Sequence, residues 1–170
     1  MGKLTHYIFT LVLTFCLVFT QQSFAVAGPI PKPPNLQVES YIVMDFKSGT
    51  VIASKNPDIP LPPASITKIM TSYVAFTELR DGSLRLDDQV LISKKAWKTG
   101  GSKMFIEVGK KVKVSDLLQG IVTSSGNDAS VAIAEHISGD VDTFSLYMNQ
   151  LGENLGLLNS NFSNPTGLPH

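Results

Sequence analysis

The sequence predicts an α+β fold, or a mixed α/β layout, from three features of its patterning. Strand signals come first, within residues 41–53. Helical periodicity takes over near Ser65 and recurs as far as Leu155. No strand–helix–strand alternation joins the two regions, which argues against a parallel sheet built from βαβ units.

Tyr41-Ile42-Val43-Met44 and Val51-Ile52-Ala53 flank Asp45-Phe46-Lys47-Ser48-Gly49-Thr50, a β-hairpin with a glycine in its turn. Turn signals follow in Asn56-Pro57-Asp58 and at Pro60, Pro62 and Pro63, then stop at Ala64-Ser65. Ile66, Ile69, Met70, Tyr73, Val74 and Phe76 recur at three- and four-residue spacing, predicting a helix from Ser65 to Leu79. Asp81-Gly82 closes it, glycine being the usual residue past a helix end. Val90-Leu91-Ile92 is a short strand. Ser115 is the expected cap of a helix over Asp116 to Val122, with Asp116 suited to the positive helix start. Two further helices are expected, Asp128 to Ile137 and Thr143 to Leu155, the second ended by Gly156. Asn164-Pro165-Thr166-Gly167 is a turn. A hairpin and one weak strand against four helices leave the sheet short of partners. A chain cut before its fold is complete is therefore expected.

The 170 residues are 43% hydrophobic, enough for a packed core. Fourteen basic and fourteen acidic residues cancel, and the charges are interspersed. A nucleic-acid groove would need a basic surplus on one face, so no nucleic-acid partner is expected. Lys3, the apolar stretch from Tyr7 to Phe19, polar Gln21, Gln22 and Ser23, and the small residues of Ala25-Val26-Ala27 have the layout of a secretory signal. Its apolar run is short for a membrane span. Residues 1–27 are thus expected to be a signal peptide and the product exported. Residues 28–39, proline-rich between Pro29 and Pro34, are expected to be an extended linker, and 40–170 the start of the folded domain. The only cysteine, Cys16, falls inside the apolar run. Phe15 before it does not suit a lipoprotein signal, and the exported part has no disulfide to lean on.

Ser65-Ile66-Thr67-Lys68 places a hydroxyl and an amine three residues apart at a helix start, on one face and one turn apart. Serine needs a neighbouring base to become a nucleophile. Lysine can serve if burial or nearby charge lowers its pKa. The helix start adds backbone N–H groups and a positive dipole end near which an oxyanion could form. A capping serine followed by a surface lysine would look the same in isolation. What distinguishes this pair is its place between a proline-rich loop and an apolar helix. Ser125-Gly126-Asn127, between two predicted helices, offers a hydroxyl, a flexible glycine and an amide that both donates and accepts. By itself it would read as a polar turn.

Together, in this order, the two motifs are specific. With Pro63-Ala64-Ser65, Met70-Thr71-Ser72-Tyr73, Ser125-Gly126-Asn127-Asp128-Ala129 and Asn164-Pro165-Thr166-Gly167-Leu168 around them, the chain from about Ser40 onward resembles the low-molecular-mass penicillin-binding proteins. More narrowly, it resembles the D-alanyl-D-alanine carboxypeptidases. The resemblance implies a β-lactamase/transpeptidase-like fold, an antiparallel sheet with a helical subdomain. It implies that Ser65 is acylated by the penultimate D-alanine of a peptidoglycan stem peptide, with Lys68 as general base. Ser125 would relay a proton to the departing amine, and Asn127 would hold the substrate amide. β-Lactams would imitate the D-Ala-D-Ala end, and no cofactor or metal would be needed. The family's third motif, a Lys-Thr-Gly triplet on a later strand, does not occur after Ser125. Lys98-Thr99-Gly100 precedes it in loop-like sequence and is read as a coincidence. The chain alone is therefore expected to be inactive, while the full-length protein is an enzyme. A carboxy-terminal anchor giving contact with a membrane surface would lie beyond His170.

Two alternatives stay open: a D,D-endopeptidase with the same nucleophile, and a non-catalytic remnant that binds cell wall. A class A β-lactamase fits less well, because Gly126 stands where that family has aspartate and no glutamate follows Glu153. His136, beside Glu135 on a predicted helix, reads as a surface or boundary residue. No histidine pair has metal-ligand spacing, and no glycine-rich loop follows a strand as in a phosphate site.

Overall fold

The computed structural model describes residues 2 and 32–169. Lys3, Cys16 and Ala25-Val26-Ala27, read above as parts of an export signal, lie outside the described residues, as do the first residues of the linker. The chain divides into two compact units, one ending at Ile59 and one beginning at Pro60.

The first unit holds the expected hairpin. Strands β1 (Tyr41–Met44) and β2 (Val51–Lys55) pair antiparallel, with Tyr41 opposite Lys55 and Val43 opposite Ala53. The turn is tied by Asp45, whose Oδ1 accepts from the Ser48 N–H (2.8 Å) and hydroxyl (2.7 Å). Gly49 supplies the left-handed backbone there, at φ +68°.

The second unit begins with a 3₁₀ turn over Ala64–Ile66, which runs into α1 (Thr67–Asp81). The expected helix start at Ser65 is thus a tighter turn, and the α-helix proper begins two residues later. Gly82, at φ +79°, ends α1 as expected. Next come β3 (Gln89–Leu91), α2 (Lys94–Lys98) and β4 (Lys111–Lys113). Strands β3 and β4 pair antiparallel, Val90 opposite Val112. The sequence reading gave β3 no partner and missed α2, which is only five residues long and is started by Ser93 Oγ accepting from the Ala96 N–H at 2.9 Å.

Helix α3 (Val114–Ser124) corrects the reading of Ser115 as its cap. The helix starts two residues earlier than expected, at Val114, directly off β4. Its first N–H groups are already taken by the loop at 86–88, before β3: Val114 donates to Asp88 O and Ser115 to Leu86 O, both at 3.0 Å. With those donors satisfied by backbone, no side-chain cap is needed. Helix α4 (Asn127–Ser138) follows, and then α5 (Val141–Asn154). The latter is capped by Asp140, whose Oδ1 accepts from the Thr143 N–H at 2.7 Å.

Helix α4 is the centre of this unit. Every residue from Asn127 to Ala134 is buried. Its three alanines let neighbouring elements approach on several sides. Val131, Ala132 and Ile133 pack with Leu117, Leu118 and Ile121 of α3 and Val90 of β3. Ala134 packs with Met70 and Val74 of α1 and Phe144 and Met148 of α5. Both motif-bearing segments are anchored to this core. No helix among the described residues is long and apolar enough to cross a membrane.

Candidate active site

Ser65 lies in the 3₁₀ turn, and Lys68 lies one turn on, in the first turn of α1. The Lys68 ammonium donates to Ser65 Oγ at 3.3 Å and to the Thr166 carbonyl at 2.9 Å. Lys68 is only 5% exposed although it carries a charge. Neither ion pair among the described residues includes it; these are Arg80–Asp81 and Lys113–Asp87. Burial without a carboxylate disfavours the ammonium, and it pushes the Lys68 pKa below the ordinary lysine value. A buried amine with weakened hold on its proton, beside a hydroxyl, is the pairing that nucleophilic catalysis by serine needs.

The turn at 164–167 fixes this arrangement. Asn164 Oδ1 accepts from the Thr166 N–H, the Thr166 hydroxyl and the Gly167 N–H, between 2.8 and 3.0 Å. The turn so shaped presents two carbonyls to α1: Thr166 O to Lys68, and Pro165 O to the Thr71 hydroxyl at 2.8 Å. Gly167 approaches Ala64 so closely that a Cβ there would lie 1.8 Å from the Ala64 carbonyl oxygen. Ala64 itself is held at φ +48°, a strained conformation for a residue with a side chain. The strain sits immediately before Ser65.

Ser125 ends α3 at φ 52°, also left-handed. Its Oγ is buried and makes no hydrogen bond. An unpaired buried hydroxyl is uncommon and marks a group kept for another partner. Ser65, Lys68 and Ser125 line one cleft of about 460 Å³ between α1 and α3. Ile69, Ser72, Tyr73, Phe76, Ile121 and Val122 complete its walls. The cleft thus sets four polar side chains, Ser65, Lys68, Ser72 and Ser125, among mostly apolar walls. Sequence reasoning assigned these wall residues no role. For Ile69, Ser72, Tyr73 and Phe76 the signal was the three- and four-residue spacing from Ser65 along one face of α1; Ile121 and Val122 come from α3.

Asn127 does not line this cleft. It opens α4, 3% exposed, with its Nδ2 donating to Gly100 O at 2.7 Å and its backbone N–H to Ser102 O at 2.8 Å. Lys98-Thr99-Gly100 spans the end of α2 and the following loop, not a strand, and Gly100 is Asn127's partner. Asp128 went unremarked as a site residue. Only 1% exposed, it accepts from the backbone N–H groups of Met104, Phe105, Ile106 and Ala129. It ties the 104–106 segment, including Phe105 at φ 64°, to the start of α4. His136 is exposed on α4, in keeping with its reading as a surface residue. No cluster of ligating side chains among the described residues could hold a metal ion.

The sequence matches the family model for D-alanyl-D-alanine carboxypeptidase over residues 28–170. It is 44% identical over 139 residues to the D-alanyl-D-alanine carboxypeptidase DacA of Haemophilus influenzae, covering 80% of this chain and 35% of that one. The crystal structure of D-alanyl-D-alanine carboxypeptidase DacD from Francisella tularensis matches at TM-score 0.79 and 40% identity, over 88% of this chain and 37% of that one. Penicillin binding protein 5 from Haemophilus influenzae matches at TM-score 0.79 and 43% identity, over 82% and 42%. The chain thus spans less than half the length of these relatives. Its helices and short antiparallel sheets are those of a β-lactamase/transpeptidase-like protein. The chain belongs to the D-alanyl-D-alanine carboxypeptidase family.

Proposed function

We propose that the full-length protein is a serine-type D-Ala-D-Ala carboxypeptidase acting on peptidoglycan stem peptides. The observation that carries this reading is the buried Lys68 ammonium 3.3 Å from Ser65 Oγ, with its pKa lowered by burial. Neutral Lys68 takes the hydroxyl proton as Ser65 Oγ bonds to the carbonyl carbon of the penultimate D-alanine. The C–N bond to the terminal D-alanine breaks, and the departing amine gains a proton through Ser125. Asn127 grips a peptide group of the substrate. Water then cleaves the ester, releasing the shortened peptide and restoring Ser65. β-Lactams enter by the same first step and stay as the acyl adduct. On this reading the protein is exported, residues 1–27 being removed as a signal, with 28–39 a linker and 40–170 the first part of the peptidase domain.

The test is Lys68→Arg in the full-length protein. Arginine keeps the charge but does not lose its proton in proteins, so it cannot act as a base. Fluorescent penicillin is expected to label the wild type and not the variant, while circular dichroism shows the same fold. Ordinary labelling of Lys68→Arg puts the base elsewhere. Release of D-alanine from a pentapeptide stem supports the carboxypeptidase; cleavage confined to cross-linked dimers shows the endopeptidase instead. Residues 28–170 expressed alone are expected to form no adduct, because a clamp for the substrate carboxylate is not among the groups gathered at this cleft.

A further inference from the structure

Asn127 holds its position through a loop some 25 residues earlier in the chain. Gly100 O accepts from the side-chain Nδ2 at 2.7 Å, and Ser102 O accepts from the backbone N–H at 2.8 Å. Gly101, between those two carbonyls, has φ +74°. A Cβ on Gly101 would lie 2.5 Å from Asn127 Nδ2, closer than carbon and nitrogen can approach. The loop can fold over the amide only because this residue has no side chain.

A side-chain amide has a donor end and an acceptor end, and turning it over exchanges them. Turned over here, the Asn127 oxygen would face the Gly100 oxygen inside a site only 3% exposed, where facing acceptors are costly. The Gly100 carbonyl therefore selects one orientation. It uses one N–H of Asn127 and leaves the other N–H and Oδ1, which takes no donor among the described residues.

We infer that Gly101 is a positioning residue for Asn127: its bare Cα lets the 100–102 loop clamp the amide in one orientation, so that a fixed donor and acceptor meet the substrate's peptide group. This rests on the reading of Asn127 as a substrate-binding residue. It also gives the Lys98-Thr99-Gly100-Gly101 stretch a role that does not depend on its likeness to a catalytic triplet. Alanine at 101 must push the amide or the loop aside by about an ångström, a displacement that typically costs up to about a hundredfold in rate.

The experiment measures the second-order rate constant of acylation by a fluorescent penicillin in the full-length protein. It compares wild type, Gly101→Ala, Asn127→Ala, the double variant, and Gly109→Ala. Gly109 has a similar φ, +77°, and nothing within 4 Å of its added Cβ, so it carries the backbone strain without the clash. Gly101→Asn is the second probe, because asparagine tolerates left-handed backbone better than alanine does. Gly101→Ala and Gly101→Asn are expected to slow acylation by between about tenfold and about a hundredfold, and Gly109→Ala by less than about threefold. In the Asn127→Ala background, Gly101→Ala is expected to add less than about threefold. A full penalty from Gly101→Ala in that background, or wild-type rates in both Gly101 variants, overturns the positioning role while leaving Asn127 as a binding residue. Wild-type acylation by Asn127→Ala removes Asn127 from the substrate site and the inference with it.

Discussion

In the hairpin, Ile42, Val43, Met44, Val51 and Ile52 are between 47% and 66% exposed, whereas Val74, Leu117, Ile133 and Phe144 of the helical unit are fully buried. Successive residues of a strand point to opposite faces. Exposure at the consecutive Ile42, Val43 and Met44 therefore means that both faces of the hairpin are apolar and uncovered. Strands of that character suit the interior of a larger layered sheet, and two strands alone are marginal in water. The helical unit has instead surrounded α4 with its own residues and closed a core. The pair Ser65 and Lys68, with Ser125, belongs to the unit that has solved its packing. The residues with strained backbone beside that cleft, Ala64 and Ser125, belong to the same unit.

The largest expected effect tests whether stability resides where the core does. Phe144, fully buried among Met70, Val74 and Met148, should cost about 3–5 kcal/mol as Phe144→Ala. Phe46, 99% exposed in the hairpin turn, should cost less than about 0.5 kcal/mol as Phe46→Ala. Urea unfolding followed by circular dichroism measures both. Similar losses at the two positions would break the comparison, because the hairpin would then be sharing the core's energy.

A second pair contrasts two glycines of the same backbone class. Gly49 has φ +68° and open space around an added Cβ, so Gly49→Ala should cost about 1–2 kcal/mol of left-handed strain and nothing in acylation. Gly167 has φ +76°, but its Cβ would meet the Ala64 oxygen at 1.8 Å. Gly167→Ala must lift the 164–167 turn from α1, loosening the Thr71–Pro165 and Lys68–Thr166 bonds. About 2–4 kcal/mol of stability should go, from strain and two hydrogen bonds, and acylation of the full-length protein should fall about a hundredfold. Equal behaviour of the two variants in the acylation assay would mean that the turn does not set Lys68.

These contacts also mark how far the sequence could be read. Ser65 and Lys68 were legible because their relation is local: three residues on one helix place them together. The hairpin, α1, α4 and α5 were legible from period and punctuation. Asp128, Gly101 and Gly167 were not, since each acts across a long stretch of chain. Asp128 binds N–H groups 22 to 24 residues away, and Lys68 reaches a carbonyl 98 residues away. Residue patterns carry no signal for such closures. Helix α3 shows the same limit on a smaller scale: Ser115 looked like a cap, but the loop at 86–88 had already satisfied the helix start. Asn127 was recognised by its motif, yet its partner was the stretch read as a coincidence.

The smallest expected effect concerns the one lysine buried in the helical unit; the lysines of the hairpin, Lys47 and Lys55, are exposed. Burial lowers the Lys68 pKa from its ordinary 10.5. Between that lowered value and 10.5 the unfolded chain binds this proton and the folded chain does not. Stability should therefore rise with pH through that window, the penalty for burying the charge being present in full below it. Lys68→Met keeps the apolar stem and removes the titration, so its stability should lack this rise. The measurement is the urea midpoint of both proteins from neutrality to about pH 10. That upper limit matters because Tyr147, hydrogen-bonded to Glu78, has its pKa raised to about 12. Above about pH 10 the unfolded chain loses the tyrosine proton while the folded chain keeps it, which lowers stability as pH rises. A wild-type slope that survives in Lys68→Met would show that the buried amine holds its proton as tightly folded as unfolded. Lys68 could not then be the base that Ser65 needs.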